Sequence, residues 1–503
     1  MFEFCLELSY NETGYKEITK KAIFYIPDWG VIMLTYDFEN IEGPLYEYIY
    51  KCIKNDILAG NILPGAKLPS KRSFANNHGL STITIQNAYD QLISEGYVYT
   101  LPKKGYYVAE LRGMTNRMVP SGHITYDIAI PEKETFEIDF SGNGVSSDNF
   151  PFSVWTKISR EVMAGKKEEL MRMAPVCGVR ELREAISDHL KSFRGMIVDP
   201  NQIVVGAGTE YLYGLLTELL GNDKKYVIES PGYKKLVQIY KQRGIECRFA
   251  SMDSDGVTVN GLEQSGADVA HICPNHHFPT GITMPASRRY EVLAWTNEKE
   301  GRYIIEDDYD SEFRTEGKPI PTLFSIDACE KVIYMNTFSK SLSPTIRISY
   351  MVLPVHLINL LFHKLYFYSC TVSNFEQYTL AEFMRQGYFE KHINRMRLYY
   401  MRKRRQIMEI ILHSSLVPYC EICENDSGLH FLLELKTVIP DQTIERKLLE
   451  HGIRIHALSE YDLLYEENKA HYFIINYSNL NVEKIEYALG VIETIIKEET
   501  GEQ

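Results

Sequence analysis

Long apolar runs are missing from this chain. The densest stretch, HLINLLFHKLYFYSC, is broken by His363 and Lys364, so no segment reads as a transmembrane helix and no membrane partner is expected. A basic start followed by an apolar block is missing too, so MFEFCLELSYNETGYKE does not read as a secretory leader. Regular cysteine spacing is absent: the nine cysteines are odd in number and scattered, which suits a reducing cytoplasm better than a disulfide framework. CEIC at 420–423 has the spacing of a metal-binding pair, but no second pair lies nearby, so it reads as packed or surface thiols. Positive charge is also in deficit. A net charge of −13 argues against a protein that coats nucleic acid without specificity, while leaving room for a small reading head on a large acidic body.

What is present exceeds one domain. At 503 residues, 45% apolar and 24% charged, the chain has a globular composition and the length of two or three domains. Residues 43–111 carry a compact α+β pattern. Leu45, Ile49, Ile53 and Ile57 recur at steps of four and predict one helix face, ended by Gly60. Ser70 predicts a helix cap with Lys71 and Arg72 in the first turn. Gly79 supplies a left-handed turn, and Ser81 caps a second helix whose inner face is Ile85, Ala88, Tyr89 and Leu92. Helix, tight turn and capped helix make a helix-turn-helix. YVYTLPKKGYYVAE adds two alternating strands around a Pro-Lys-Lys-Gly turn, which completes a winged helix-turn-helix.

In that motif the second helix enters the major groove of double-stranded DNA, and its first residues reach base edges. Here those are Ser81, Thr82, Thr84, Gln86 and Asn87, while Lys71, Arg72, Lys103 and Lys104 sit toward phosphates. Overall charge does not decide the matter, since residues 33–110 hold seven Lys/Arg and eight Asp/Glu. An accessory module serving assembly alone is the plain alternative. The stretch LPSKRSFANNHGLSTITIQNAYDQLISEGYV resembles the GntR-type winged-helix DNA-binding domain. Where that family usually has arginine after the capping serine, this chain has Thr82, so its operator is expected to differ. Residues 1–32 lie upstream of the usual start of the pattern, and MLTYDF points to a natural start near Met33. A linker is expected over 112–138, where apolar periodicity fades and Pro120, Gly122 and Pro131 occur.

From residue 139 the pattern becomes strand-helix-strand, which predicts an α/β domain over 139–503 with a mostly parallel sheet. NQIVVGAGTE, KKYVIESPGY, DVAHICPNHHFPTG, RYIIEDDYDSEF and EKVIYMNTFSK each read as an apolar strand followed by polar residues. Ligands in such sheets bind beyond the strand C-termini. Gly208 and Thr209 open a helix with free N–H groups, a cradle for phosphate. Asp307 and Tyr309 stand two apart at a strand end. FSKSLSPTIR supplies Lys340, the hydroxyl of Ser339 and the anion clamp Arg347, with Thr337 just before it. A lone lysine is ordinarily a solvated surface group. Five agreeing parts instead suit pyridoxal 5'-phosphate. Lys340 is the amine that bonds to its aldehyde, Asp307 faces its ring nitrogen, and Tyr309 donates to its phenolic oxygen. Arg347, Ser339, Thr337 and the Gly208–Thr209 turn hold its phosphate.

VRELREAISDHL, PGY, HHFPTG, IEDDYDSEFR and TFSKSLSPTIRISY resemble the fold-type I aminotransferase domain of the MocR/GabR regulators. That resemblance implies a smaller C-terminal α+β subdomain, Lys340 as the cofactor lysine, Asp307 as partner of the ring nitrogen and Arg347 as a phosphate ligand. It places Tyr233 and His276 in the lining of the pocket. It also implies a domain-swapped homodimer and an amine or amino acid effector. Departures from the pattern are His277, Phe278 before PTG, and Ile474 where aminotransferases bind the substrate carboxylate with an arginine. The expected function is a cofactor-dependent, cytoplasmic transcriptional regulator. A working aminotransferase, or a sensor of pyridoxal phosphate itself controlling vitamin B6 synthesis, are the alternatives.

Overall fold

The computed structural model describes residues 34–38, 41, 43–111, 134–142, 144–314, 320–423, 428–464 and 470–500. The expected extra segment 1–32 and most of the expected linker lie outside them. The chain divides into two compact units, one up to residue 132 and one from residue 133 onward. No helix among the described residues is long and apolar enough to cross a membrane.

The first unit is a winged helix-turn-helix. Helices α1 (Leu45–Leu58), α2 (Lys71–His78) and α3 (Thr82–Ser94) precede the antiparallel strands β1 (Val98–Leu101) and β2 (Gly105–Val108). The spacing read in α1 buries Ile49, Ile53 and Ile57, while Leu45, the first residue of the helix, is only half-buried. Ser70 accepts a hydrogen bond from the Ser73 N–H and Ser81 from the Ile83 N–H, so both serines cap the helices that follow them. Between them Gly79 adopts φ +66°, a conformation that a β-carbon disfavours, and this lets α3 leave α2 sharply. Ile85, Ala88, Tyr89 and Leu92 of α3 pack on Ile49 and Ile53, on Phe74 and Ala75, and on Val98 and Val108 of the wing. The buried Tyr89 hydroxyl donates to the Pro69 carbonyl at 3.0 Å, which satisfies its polar tip.

The second unit is built on an eight-stranded sheet. Its strands are β4 (Ile203–Gly206), β5 (Lys225–Ser230), β6 (Glu246–Asp253), β7 (Gly256–Val257), β8 (Val269–Ile272), β9 (Tyr303–Asp307), β10 (Val332–Thr337) and β11 (Ser349–Val352), after the short β3 (Ile138–Asp139). The order is β4-β11-β10-β9-β8-β5-β6-β7. Strands β10, β9, β8, β5 and β6 run parallel, and β11 runs against both of its neighbours. The central strands are apolar on both faces, as a sheet covered by helices requires: Ile304, Ile305, Val332, Ile333 and Tyr334 are fully buried. A second, antiparallel sheet holds β12 (Cys420–Cys423), β13 (His430–Leu435), β15 (His456–Ala457) and β16 (His471–Asn476) in the order β12-β13-β16-β15, while β14 (Ile453–Arg454) pairs with β3. Its core, which includes Leu433, Phe473 and Ile475, packs with Ile407 of helix Tyr388–His413 and Ile492 of helix Ile485–Thr500. This is the smaller α+β subdomain. Cys420 and Cys423 lie three apart in one strand and so point to opposite faces of it.

Candidate functional site

A cavity of about 300 Å³ opens beyond the C-terminal ends of the parallel strands. Thr209, Tyr233, Asp307, Tyr309, Thr337, Ser339, Lys340 and Arg347 all line it. Gly208 and His276 stand just behind the wall rather than in it. Lys340 follows β10 on the short helix Phe338–Ser341, which Thr337 caps by accepting the Ser339 N–H at 3.1 Å. The Thr337 hydroxyl also receives the Ser349 hydroxyl at 2.8 Å and is directed at Ser339 Oγ at 2.9 Å, so much of its capacity goes to positioning this turn.

Burial depresses the Lys340 amine to about 8, against a smaller opposing pull from Asp310. The unfolded lysine keeps its proton up to its ordinary range near 10.5, so the folded state binds fewer protons between these values. Folding stability therefore gains from this group as pH rises through that window. The same shift sets reactivity: covalent capture of an aldehyde at Lys340 is expected to rise with pH and level off above about 8. A titration of adduct yield that kept climbing towards 10.5 would mean an ordinary solvated amine.

Asp307 ends β9. Its Oδ2 accepts the Tyr213 hydroxyl at 2.6 Å and lies 3.4 Å from His271 Nε2. Its buried Oδ1 has no hydrogen-bond partner among the described residues. A buried carboxylate oxygen without a donor is costly, and a protonated ring nitrogen is a donor that would satisfy it. Tyr309 is kept protonated by burial and lies 3.2 Å from Nδ1 of His276, which itself bonds Asp310 at 2.9 Å. At the opposite end Arg347 pairs with Glu210, which also pairs with Lys235. Gly208 has φ +88°, and a β-carbon there would run into the Arg347 guanidinium, so the glycine permits the clamp to approach the helix Thr209–Leu220. An anion-binding end, a half-satisfied carboxylate and a neutralisable lysine in one cavity fit pyridoxal phosphate.

Several lining residues escape a reading of local pattern: Glu210, Tyr213, Glu229, Lys235, His271, Cys273, His430 and Asn476. A signal existed for Tyr213, which is one helical turn after Thr209 on the same face. His430 and Asn476 come from the second sheet and carry no comparable signal. Ile474 faces a small apolar cluster with Leu432 and Leu458 and does not line the cavity.

In the first unit, Arg72, Ser81, Thr82, Gln86, Asn87, Lys103 and Lys104 are exposed. Thr84 is half-buried and Lys71 lies over the Tyr106 ring at 5.8 Å, so these two reach outward less freely. Ser81 has its hydroxyl engaged in capping α3.

Residues 137–492 match the family model for class I and II aminotransferases, and residues 45–108 match that for the gntR family of bacterial regulatory proteins. The chain is 35% identical over 422 residues to the uncharacterized HTH-type transcriptional regulator YdeL of Bacillus subtilis (strain 168), covering 84% of this chain and 90% of that one. It is 29% identical to the HTH-type pyridoxine biosynthesis transcriptional regulator PdxR of Corynebacterium glutamicum, over 87% of this chain and 92% of its relative. Among solved structures, an archaeal alanine:glyoxylate aminotransferase superposes with a TM-score of 0.64 at 24% identity, covering 72% of this chain and 91% of that one, which speaks to fold alone.

Proposed function

We propose, on the premise that this chain belongs to the helix-turn-helix transcriptional regulators that join a gntR-family head to a class I and II aminotransferase domain, that it binds operator DNA and senses an amino compound through pyridoxal phosphate held in the cavity. The observation that supports this reading best is that one cavity has on its walls both Lys340 and an Asp307 whose Oδ1 has no partner among the described residues. When bound, the cofactor supplies an aldehyde that bonds amines reversibly and a ring that withdraws electrons. Lys340 supplies the protein's own amine, and its lowered proton affinity lets it give up or take a proton near neutrality. Asp307 would hold a proton at the ring nitrogen, and Tyr309 would donate its hydroxyl to the ring oxygen. Arg347, Ser339 and the N–H groups at the start of helix Thr209–Leu220 would hold the phosphate. Full transaminase turnover is disfavoured, because the strand that carries a carboxylate-binding arginine in the aminotransferases this domain resembles has Ile474 at that position, turned into an apolar cluster with Leu432 and Leu458. The protein acts in the cytoplasm as a homodimer. A ligand can switch it only by favouring one arrangement of that dimer over another.

The test is a nuclease footprint on DNA upstream of the protein's own gene, with and without cofactor and a panel of amines. A footprint that changes with either supports the proposal. Failure of the cofactor-loaded protein to bind DNA under every ligand would sink it. Within the head, replacing Lys103 and Lys104 by alanine is expected to weaken all DNA sequences alike and to lower the salt slope by about one per lysine. Gln86→Ala should instead relax base preference while sparing binding to unrelated DNA. Filter binding across a salt series separates the two outcomes.

A further inference from the structure

Away from Arg347, Lys235 and Lys340, the cavity wall consists largely of apolar and aromatic side chains, with the acceptors Glu229 and His430 set among them. Glu229, at the end of β5, is 3% exposed. Its Oε2 accepts the Cys273 N–H at 2.9 Å and lies 3.4 Å from His277 Nε2, while its Oε1 accepts no hydrogen bond among the described residues. His430 places Nε2 3.0 Å from the Pro279 carbonyl. A carbonyl only accepts, so the ring proton sits on Nε2 and Nδ1 is left as an acceptor. Burial holds both His277 and His430 well below the ordinary histidine range, so neither offers positive charge. Tyr233 and Phe278 meet edge to face with ring centroids 5.8 Å apart, and an aromatic face attracts a cation.

We infer that the ligand read in this cavity is a diamine: an amine that carries a second protonated nitrogen and no carboxylate, the second ammonium being received by Glu229. This rests on the cofactor reading given above. Three observations converge on it. Among the described residues the cavity is lined by no lysine or arginine other than Lys235, Lys340 and Arg347, and the first and last of these pair with Glu210 at the phosphate end. A carboxylate placed beside Glu229 and His430 would therefore be desolvated against acceptors. Glu229 is a buried acid facing the cavity with hydrogen-bonding capacity to spare. Its burial pushes its proton affinity up to about 8, and an arriving ammonium is the partner that would stabilise its charged form.

The experiment uses the full chain loaded with pyridoxal phosphate and titrated with 1,5-diaminopentane, pentylamine and 5-aminopentanoate, three ligands of one length. The readouts are the cofactor's absorbance band and calorimetric heat. The diamine is expected to act at a concentration at least about tenfold lower than either of the others. Glu229→Gln is expected to close the gap between diamine and monoamine. The assignment is overturned if 5-aminopentanoate matches or beats the diamine, or if Glu229→Gln leaves the gap intact. Should that variant not fold, the ranking on the native chain decides alone. A chain that takes up no cofactor overturns the underlying reading as well, and its missing band tells that failure from a wrong ligand class.

Discussion

Lys340→Ala is expected to purify with no cofactor that borohydride can fix to the chain, whereas the native protein yields one adduct per chain at position 340. The effect should be all or nothing, because the bond needs a nucleophilic nitrogen and alanine has none. Affinity for pyridoxal phosphate should fall but not vanish, since Arg347, the Gly208–Thr209 turn and Asp307 still line or support the same cavity. DNA binding by the head should persist, because its core closes on its own residues, and it should no longer respond to amines. Peptide mapping after reduction decides the case. Lys235 lines the same cavity, so an adduct retained in Lys340→Ala and mapped to Lys235 would move the chemistry to the wrong side of the pocket and end the proposed role of Lys340.

Asp308→Ala should be the most destabilising change in the acidic run EDDYD. The Asp308 and Arg194 side chains are 1% and 3% exposed and paired with each other. Asp308 also accepts the Tyr334 hydroxyl at 2.6 Å and the Ser311 hydroxyl at 2.9 Å. Removing the carboxylate strands a buried guanidinium and two hydroxyls, a loss of about 3–5 kcal/mol. The adjacent Asp307→Asn should behave in the opposite way. It keeps an acceptor for Tyr213 and leaves stability within about 1 kcal/mol, but it should weaken the cofactor by about tenfold or more through loss of a charge-assisted bond. Urea midpoints and cofactor titrations on the two variants separate a carboxylate that holds the fold from one that serves the ligand. Equal loss of stability in both would contradict this division.

The two carboxylates also show where sequence reading reaches and where it stops. The head was legible because its information is local: steps of four in α1, a capping serine at each of α2 and α3, a glycine between them. The parallel sheet was legible for a similar reason, since each strand is an apolar run ending in polar residues. The strand-end rule then drew Asp307, Lys340 and Thr209 to one place. Alternation at the strand end set Asp307 beside Tyr309, but it gave no role to the adjacent Asp308, whose buried partner Arg194 lies more than a hundred positions away. Thr337 reads as a phosphate ligand from its position, yet its hydroxyl is drawn into a cap by Ser339 and Ser349. Glu229 and His430 had no local mark, since a single acid before a proline turn and a single histidine starting a strand are common. What makes them notable is the cavity that both border.

The head's core draws on residues from Leu34 to Val108, whereas the cavity's walls run from Thr209 to Asn476. Synthesis proceeds from the N-terminus, and non-local contacts form late. A nascent chain can therefore present a finished head while Leu429, His430 and Asn476 are still unmade. For that interval the ribosome carries a helix-turn-helix head whose companion cavity has not yet been walled in.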